Sequence, residues 1–244
     1  MLFPPLPYIC FRYVQKVIVL EINLDFRSDC VRVEEKKRRI RSDKKRDVKP
    51  SLPIDLKECI YRLSYITNTP VKNVVESICI SGLASSKVMD YLSNYFRRGF
   101  SCGSTVYMGD MSKEPIRQLY KNIEKERVST RLKDGHGETY DVLKRLAYAL
   151  DCSPALAASF LIEANIRNSD FVDEYMTRHL EEELDQGRLK ELKEVLKFIN
   201  KNNPYKEEYS LHNLISYIMD ELKVGATNLG SSVQNWLESM QHKK

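Results

Sequence analysis

The chain has 244 residues, of which 42% are hydrophobic and 30% are charged, and its net charge is +5. This composition is typical of a folded protein with a buried core rather than of a disordered chain, and the length suits one large domain or two small ones. Nine Gly and nine Pro are few for this length, which argues against an all-β fold with many turns.

The apolar N-terminal segment does not predict a membrane helix. Arg12 and Lys16 interrupt the apolar run in residues 1–24, and no stretch of the chain approaches the ~20 residues that a membrane span needs. The β-branched run KVIVLEINL in this segment is consistent with a strand, and equally with translation from an upstream start codon. We therefore expect no membrane partner.

Cysteine and histidine are not arranged for a metal or disulfide framework. The six cysteines show no C-x-x-C pair, and the four histidines are scattered. Such cysteines are typical of core residues in a reducing compartment, so a cytoplasmic location is expected. No phosphate-binding loop, Ser/His/Asp set or paired carboxylates stand out. We expect neither an enzyme nor a cofactor-binding protein.

Positive charge is concentrated in residues 32–49, which hold ten Lys or Arg against four acidic residues, while the rest of the chain sums to −1. A basic arm on a nearly neutral body predicts a polyanionic partner, nucleic acid before membrane, because no amphipathic or lipidation signal accompanies it. The alternative is a solvated helix or a disordered tail. The residues expected to contact DNA phosphates are Arg38, Arg39, Arg41, Lys44, Lys45 and Arg46.

A strand and two helices are predicted after the arm. DVKPSLP (residues 47–53) alternates apolar and polar residues as a half-buried strand does. LPIDLKECIYRLSYI places apolar residues at helical spacing, and VKNVVESICISGL does so again after Thr69 and Pro70, a pair typical of a helix start. A third helical pattern ends at Gly99, and EPIRQLYKNIEKE (residues 114–126) predicts another helix.

The same order of elements recurs from residue 127. RVSTRL predicts a strand, DGHG a loop and ETYDVLKRLAYAL a helix, and Ser153 with Pro154 then begins the helix ALAASFLIEANI. The pattern Ser-x-apolar-apolar-Asp opens a further helix in both halves, at Ser86 and at Ser169. The helices align at an offset of 83 residues and the two caps at 84, which predicts an internal repeat with a one-residue loop difference.

The C-terminal part shows two long amphipathic patterns and a short final helix that carries Trp236. Over residues 173–244 acidic residues outnumber basic ones by 13 to 10, so this part is not a second basic surface. We expect its helices to pack on the body or on a partner subunit. The predicted organisation is an N-terminal extension and basic arm (1–45), a first strand-helix-helix unit plus helix (46–98), a connector with a helix (99–126), a second such unit plus helix (127–180) and a C-terminal helical region (181–244).

A short strand of alternating polarity, a turn such as LP, an amphipathic helix, a tight polar turn and a second helix resemble the ribbon-helix-helix DNA-binding proteins. This family includes phage and bacterial repressors, antitoxins and plasmid-transfer proteins. The resemblance covers residues 46–83 and 127–166. It implies a mainly α fold with one two-stranded antiparallel ribbon, whose polar face enters the major groove of double-stranded DNA. It also implies that the second helix of each unit begins at a DNA phosphate.

Alternation along the two strands assigns their faces. The residues expected to face the core are Val48, Pro50, Leu52, Val128, Thr130 and Leu132. Asp47 and Arg127 are expected on the opposite face. The residues of that face expected to read bases are Lys49, Ser51, Ser129 and Arg131. The resemblance further implies phosphate contacts at the helix starts from Thr69, Lys72 and Ser153.

One such unit cannot bury its own apolar face, so strand 47–52 is expected to pair with strand 127–132, as a pseudo-dimer within the chain or in a higher homo-oligomer. The resemblance implies a transcriptional repressor or regulator of a phage, plasmid or bacterial operon. The alternative is a helical protein-interaction adaptor, whose acidic C-terminal helices bind a protein while the basic arm is incidental. Salt separates the two, because DNA binding weakens steeply with ionic strength.

Overall fold

The computed structural model describes residues 44–179 and 186–225, and within them the chain is mainly helical with short antiparallel strand pairs, as the sequence predicts. The helices are α1 (Ile54–Ile66), α2 (Val71–Ala84), α3 (Ser86–Ser93), α4 (Ile116–Leu119), α5 (Thr139–Ala149), α6 (Pro154–Ile166), α7 (Ser169–His179), α8 (Gln186–Asn200) and α9 (Leu211–Gly225). The strands are β1 (Lys45–Val48), β2 (Ser51–Pro53), β3 (Phe100–Cys102), β4 (Thr105–Tyr107), β5 (Lys125–Arg127) and β6 (Thr130–Lys133).

Two segments that lie far apart in sequence form one antiparallel ribbon. β1 pairs with β6, and β2 pairs with β5 in the same register, so that Asp47 lies opposite Arg131. In the gap between the two strand pairs, the N–H of Val128 donates to the carbonyl oxygen of Pro50 at 3.0 Å. Pro50 has no N–H to donate in return, which interrupts the ladder at this point. The predicted pairing of the two strands is confirmed, and the ribbon extends a few residues beyond the predicted ends.

The ribbon has one buried face and one exposed face, as its alternation predicts. The residues expected to face the core are all buried: Val48, Pro50, Leu52, Val128, Thr130 and Leu132. Leu52 and Leu132 are 0% exposed. Burial of a leucine side chain to this extent contributes about 1.5–3 kcal/mol, so the buried face is what holds the ribbon on the helices.

Two helix pairs cover the buried face of the ribbon. In α1 the apolar residues recur every three or four positions, and this stripe is buried. The turn between α1 and α2 contains Asn68 at a positive φ of 49°, a conformation that asparagine tolerates. The turn between α5 and α6 contains Asp151 in the same conformation, at a φ of 53°. Each half of the chain thus supplies one helix pair closed by the same kind of turn.

The crossing of α2 and α6 joins the two halves. A Cβ atom placed on Gly82 of α2 would lie 3.0 Å from the Cβ of Asn165 in α6, so only a residue without a side chain fits without displacement. Asn165 is buried, and its Nδ2 donates to the carbonyl oxygen of Ile78 at 2.8 Å. Because α6 carries apolar residues on nearly all sides, most of its length is buried.

The helices of the two halves are spaced alike. α1 and α5 end at Ile66 and Ala149, and α2 and α6 begin at Val71 and Pro154, which is an offset of 83 residues in both cases. The expected one-residue difference between the two turns is therefore wrong. The link from strand to helix does differ, since α1 follows β2 directly whereas residues 134–138, which include DGHG, separate β6 from α5.

The connector differs from its prediction. Instead of a helix over residues 114–126, only the single turn α4 is helical, and residues 125–127 form β5. The last residues of the predicted helix are instead part of β5, which pairs with β2. The ammonium of Lys125 donates to the carbonyl oxygen of Tyr120. The third predicted helix also ends early, before a hairpin of β3 and β4 that turns at Gly103, where φ is 57°.

The C-terminal helices pack against the body. α8 lies on α1 and α9 lies on α7, and the guanidinium of Arg62 in α1 bonds to the carboxylate of Glu191 in α8. Their buried apolar residues are Leu192, Val195, Leu196 and Ile199 in α8 and Leu214, Ile215 and Ile218 in α9. The predicted final helix with Trp236 lies outside the described residues.

Replacing Leu52 or Leu132 by Ala should destabilise one and the same folding unit. Each change removes a fully buried side chain from the ribbon and should lower the free energy of unfolding by about 2–5 kcal/mol. Urea denaturation followed by circular dichroism should show a single transition that either substitution shifts. Ile123→Ala, at a side chain 45% exposed, is the control and should shift the midpoint little. Two transitions, each sensitive to one substitution only, would contradict this prediction.

Candidate nucleic-acid interface

The exposed face of the ribbon carries the four residues assigned to base reading. Lys49, Ser129 and Arg131 are exposed, and Ser51 is half-buried. Two of these residues come from each half of the chain, and they share a surface because both strand pairs keep one register. The ribbon thus presents a continuous polar surface that neither half forms alone.

One ion pair crosses this face. The Nε of Arg131 lies 2.8 Å from the Oδ1 of Asp47, which stands directly opposite it in β1. Because the side chains are 67% and 56% exposed, the pair contributes at most ~1 kcal/mol to stability. A guanidinium has five N–H donors, so a contact through Nε leaves the terminal nitrogens for another acceptor. The pair therefore orients Arg131 and leaves it able to bind a ligand.

The exposed face is mainly positive. Its outward positions hold the carboxylate of Asp47 and six cations, which are Lys45, Lys49, Arg127, Arg131, Lys133 and the half-buried Lys125. Part of this charge is balanced locally, since the ammonium of Lys45 lies 2.6 Å from a carboxylate oxygen of Glu76 in α2. The strand predicted from the sequence ends one residue before Lys133. That residue could have been found by continuing the alternation one step further.

The first turn of α2 lies beside the ribbon and is open to solvent. The Oγ1 of buried Thr130 donates to the carbonyl oxygen of Lys72 at 3.0 Å. α2 begins after Pro70 without a side-chain cap, so its first N–H groups have no intrahelical acceptor. Thr69 is not the cap that the sequence predicts, because Pro70 itself occupies the capping position. The Thr69 hydroxyl instead donates to the carbonyl oxygen of Thr67 at 3.0 Å.

The first turn of α6 is capped as predicted. The Oγ of Ser153 accepts a hydrogen bond from the N–H of Leu156 at 3.3 Å, and Pro154 occupies the first helical position. Ser153 is exposed. The two helix starts therefore differ, since that of α6 supplies its own acceptor and that of α2 does not.

Basic residues at the start of β1 have contacts within the fold. The ammonium of Lys44 lies 3.5 Å from a carboxylate oxygen of Asp134, and the guanidinium carbon of Arg46 lies 5.5 Å from the ring centre of Tyr140. Lys45 and Arg46 are residues of the ribbon. The other expected phosphate contacts of the arm lie outside the described residues: Arg38, Arg39 and Arg41.

Two free cysteines, Cys59 and Cys79, lie in the core, and Tyr95 packs against it. Burial raises the pKa of the Cys59 and Cys79 thiols to about 12, which keeps them protonated and unreactive. Tyr95 packs edge-on against Phe160, with ring centres 4.9 Å apart. The described part of the chain has no group of three or more His, Cys, Asp or Glu residues that could hold a metal ion.

No single helix in the described ranges is both long and apolar enough to cross a membrane. α5 and α6 meet the length and composition criteria only when they are taken together, as a pair bent by 95°.

Comparisons with known proteins do not identify a family for this chain. No family model matches the sequence. Neither the curated proteins nor the solved structures contain a match. A functional inference therefore depends on the ribbon and on the helix starts beside it.

The two faces of the ribbon should respond differently to mutation in the absence of a ligand. Thr130→Val keeps the side-chain shape but removes the hydrogen bond to Lys72, and should lower the free energy of unfolding by about 1–2 kcal/mol. Arg131→Ala removes only an exposed ion pair and should change it by about 0.5 kcal/mol or less. Thermal unfolding of both variants beside the wild type measures this difference. Equal destabilisation would mark Arg131 as a structural residue.

Proposed function

We propose that this chain is a sequence-specific double-stranded DNA-binding protein that reads the major groove with the ribbon of β1, β2, β5 and β6. The observation that carries the proposal is the division of the ribbon into a buried, largely apolar face and an exposed, mainly cationic one. The corresponding role is that of a repressor or other transcriptional regulator of a phage, plasmid or bacterial operon.

A two-stranded ribbon has a suitable size for this role. The major groove of B-DNA is about 12 Å wide, admits such a ribbon, and presents a distinct pattern of donors and acceptors for each base pair. Arg131 suits guanine, whose O6 and N7 accept two hydrogen bonds from one guanidinium. Lys49 can donate to the same atoms, and the hydroxyls of Ser51 and Ser129 can serve several bases.

The helix starts beside the ribbon suit DNA phosphates. The first N–H groups of a helix and its macrodipole together attract anions. The hydrogen bond from Thr130 holds the start of α2 next to the ribbon, where exposed Lys72 adds positive charge. Ser153 offers a hydroxyl at the start of α6. Contacts of this kind position a protein on the duplex and carry no sequence information.

One chain supplies both strands of the ribbon, so a pseudo-dimer within the chain takes the place of two subunits. The common helix spacing and the crossing of α2 with α6 support an internal repeat of ribbon-helix-helix units. Higher homo-oligomers could then form along neighbouring DNA sites. No cofactor is required for this mode of binding.

The adaptor hypothesis needs an apolar face on the C-terminal helices that a partner protein can cover. α8 and α9 instead lie on α1 and α7 with seven buried apolar side chains, from Leu192 to Ile218. No observation in the described ranges favours a protein partner over DNA. DNA binding is therefore the better-supported function.

Arg131→Ala should weaken binding to the preferred DNA site by about 1–3 kcal/mol and relax sequence preference, because a base contact is lost. Random duplexes should first be selected for binding, and affinities for the selected and for an unrelated duplex then compared. Arg178→Ala is the matched control, since its side chain is 65% exposed and also paired with a carboxylate, but lies on α7. Only the ribbon variant should lower the ratio of specific to non-specific affinity.

Lys49→Ala should act in the same direction but less strongly, because an ammonium usually cannot hold guanine through two bonds. Lys197→Ala on α8, with a side chain 72% exposed, is its control. If both ribbon variants fold and keep the wild-type affinity ratio, the ribbon does not read sequence. The adaptor hypothesis would then become the preferred one.

Removal of residues 1–43, which leaves β1 intact, should weaken binding to every duplex alike. The reason is the loss of phosphate contacts from the basic arm, each of which contributes about 1 to the slope of log K against log salt. Fluorescence anisotropy over a salt series measures this slope. Replacing Arg38, Arg39 and Arg41 by Gln in the full chain should flatten it in the same direction. An unchanged slope in both proteins would show that the arm does not touch phosphates.

A further inference from the structure

We infer that the DNA site of this chain is non-palindromic and that one chain binds it in a single orientation. This inference rests on the proposed function and concerns the same ribbon. A ribbon made by two identical subunits presents the same side chains to both halves of its site, so the site mirrors the two-fold symmetry of the protein. The ribbon of this chain approaches this symmetry on its buried face only.

The buried face obeys a pseudo-two-fold. The register centres the ribbon between β1 and β2 on one strand and between β5 and β6 on the other. Rotation about this centre exchanges Val48 with Val128 and Leu52 with Leu132, identical residues that are all buried. It also exchanges Pro50 with Thr130, which differ in chemistry but are both buried. On the buried face, the two strands are therefore nearly equivalent.

The exposed face of the ribbon does not follow this two-fold symmetry. At one end of the ribbon Asp47 stands opposite Arg131, and the two form the 2.8 Å ion pair. At the other end Ser51 stands opposite Arg127, so that Arg127 takes the place of Asp47 and the Ser51 hydroxyl takes the place of the Arg131 guanidinium. The central positions also differ, with a lysine on the first strand and a serine on the second. No rotation superposes these side chains.

Asp47 makes the difference chemical as well as geometric. A carboxylate can only accept hydrogen bonds, which suits the N4 amino group of cytosine and opposes the acceptor atoms of guanine and thymine. The end with Asp47 and Arg131 should therefore select a guanine beside a cytosine on the strands it faces. The end with Ser51 and Arg127 lacks this repulsive element and should be less selective.

The flanking helix starts add a second asymmetry. α2 begins without a side-chain cap, whereas Ser153 caps α6 with its own oxygen. A phosphate at α2 meets N–H groups that need an acceptor, whereas a phosphate at α6 competes with the Ser153 oxygen for the N–H of Leu156. The two sides of the duplex backbone are therefore held unequally, which fixes the orientation of the chain.

The asymmetric core of the DNA site, meaning the base pairs that the ribbon contacts, is expected to be short. The outward positions from Asp47 to Ser51 span about 13 Å along the strand, at about 3.3 Å per residue. This corresponds to about four base pairs at about 3.4 Å each. Selection from random duplexes should return a core of that length that differs from its own reverse complement.

The first test uses the wild-type chain. Two further duplexes are built from the selected core, each a palindrome made by duplicating one of its halves. The palindrome that duplicates the half facing Ser51 and Arg127 should bind about tenfold more weakly than the selected site, because the end with Asp47 and Arg131 then faces the wrong bases. The other palindrome should also bind more weakly, but by less, because the less selective end then faces the wrong bases. Equal or tighter binding of either palindrome overturns the inference.

The second test makes the exposed face symmetric. The variant D47R/K49S/S51R gives both strands the same outward sequence, Arg-Ser-Arg, and should select a palindromic core. The single substitution Glu174→Arg on α7 changes the net charge by the same +2 away from the ribbon, and should keep the wild-type selection. If the triple variant folds, by circular dichroism, and still selects the wild-type core, the ribbon side chains do not set the asymmetry and the inference is overturned.

The two proposals fail in distinguishable ways. If the wild-type chain enriches no duplex at all, the proposed function is wrong, and this inference falls with it. If the wild-type chain enriches a palindrome, DNA reading stands, and the inference of a non-palindromic site alone is wrong.

Discussion

The structure depends on one long-range interaction, the pairing of β1 and β2 with β5 and β6. A two-stranded ribbon is marginally stable in water when isolated, and among the described residues neither segment pairs with any other strand. The ribbon persists because its buried face lies on helices from both halves of the chain. The cost in entropy of closing the intervening loop grows only slowly with its length, so the connector does not prevent this pairing.

The period of two residues along a strand separates stability from recognition. Thr130 and Arg131 are neighbours in β6, yet one is buried and bonded to α2 while the other is mostly exposed. Side chains on the exposed face are free of the packing constraints that act on the buried face. The ribbon can therefore change what it binds without changing what holds it together.

The separation of a packed face from a solvent-exposed face also explains why the buried face is nearly symmetric and the exposed face is not. The buried face packs on two helix pairs of equal spacing, and equal surroundings favour equal side chains, as at Leu52 and Leu132. Solvent imposes no such requirement on the exposed face, where Ser51 and Arg131 occupy equivalent positions. A single chain that carries both strands can diversify them separately, whereas two identical subunits cannot.

Short-range patterns in the sequence by themselves determined the two strands of the ribbon, most of the amphipathic helices and the Ser153 cap, because alternation, helical periodicity and capping depend on residues within one or two turns. The inward and outward faces of the ribbon followed from the same alternation. Only the tertiary structure decided that residues 125 and 126 pair with β2 instead of ending a helix, that Asp47 meets Arg131, and that Gly82 meets Asn165. These contacts join distant segments, and their geometry is set by strand register and helix crossing, which no local pattern encodes.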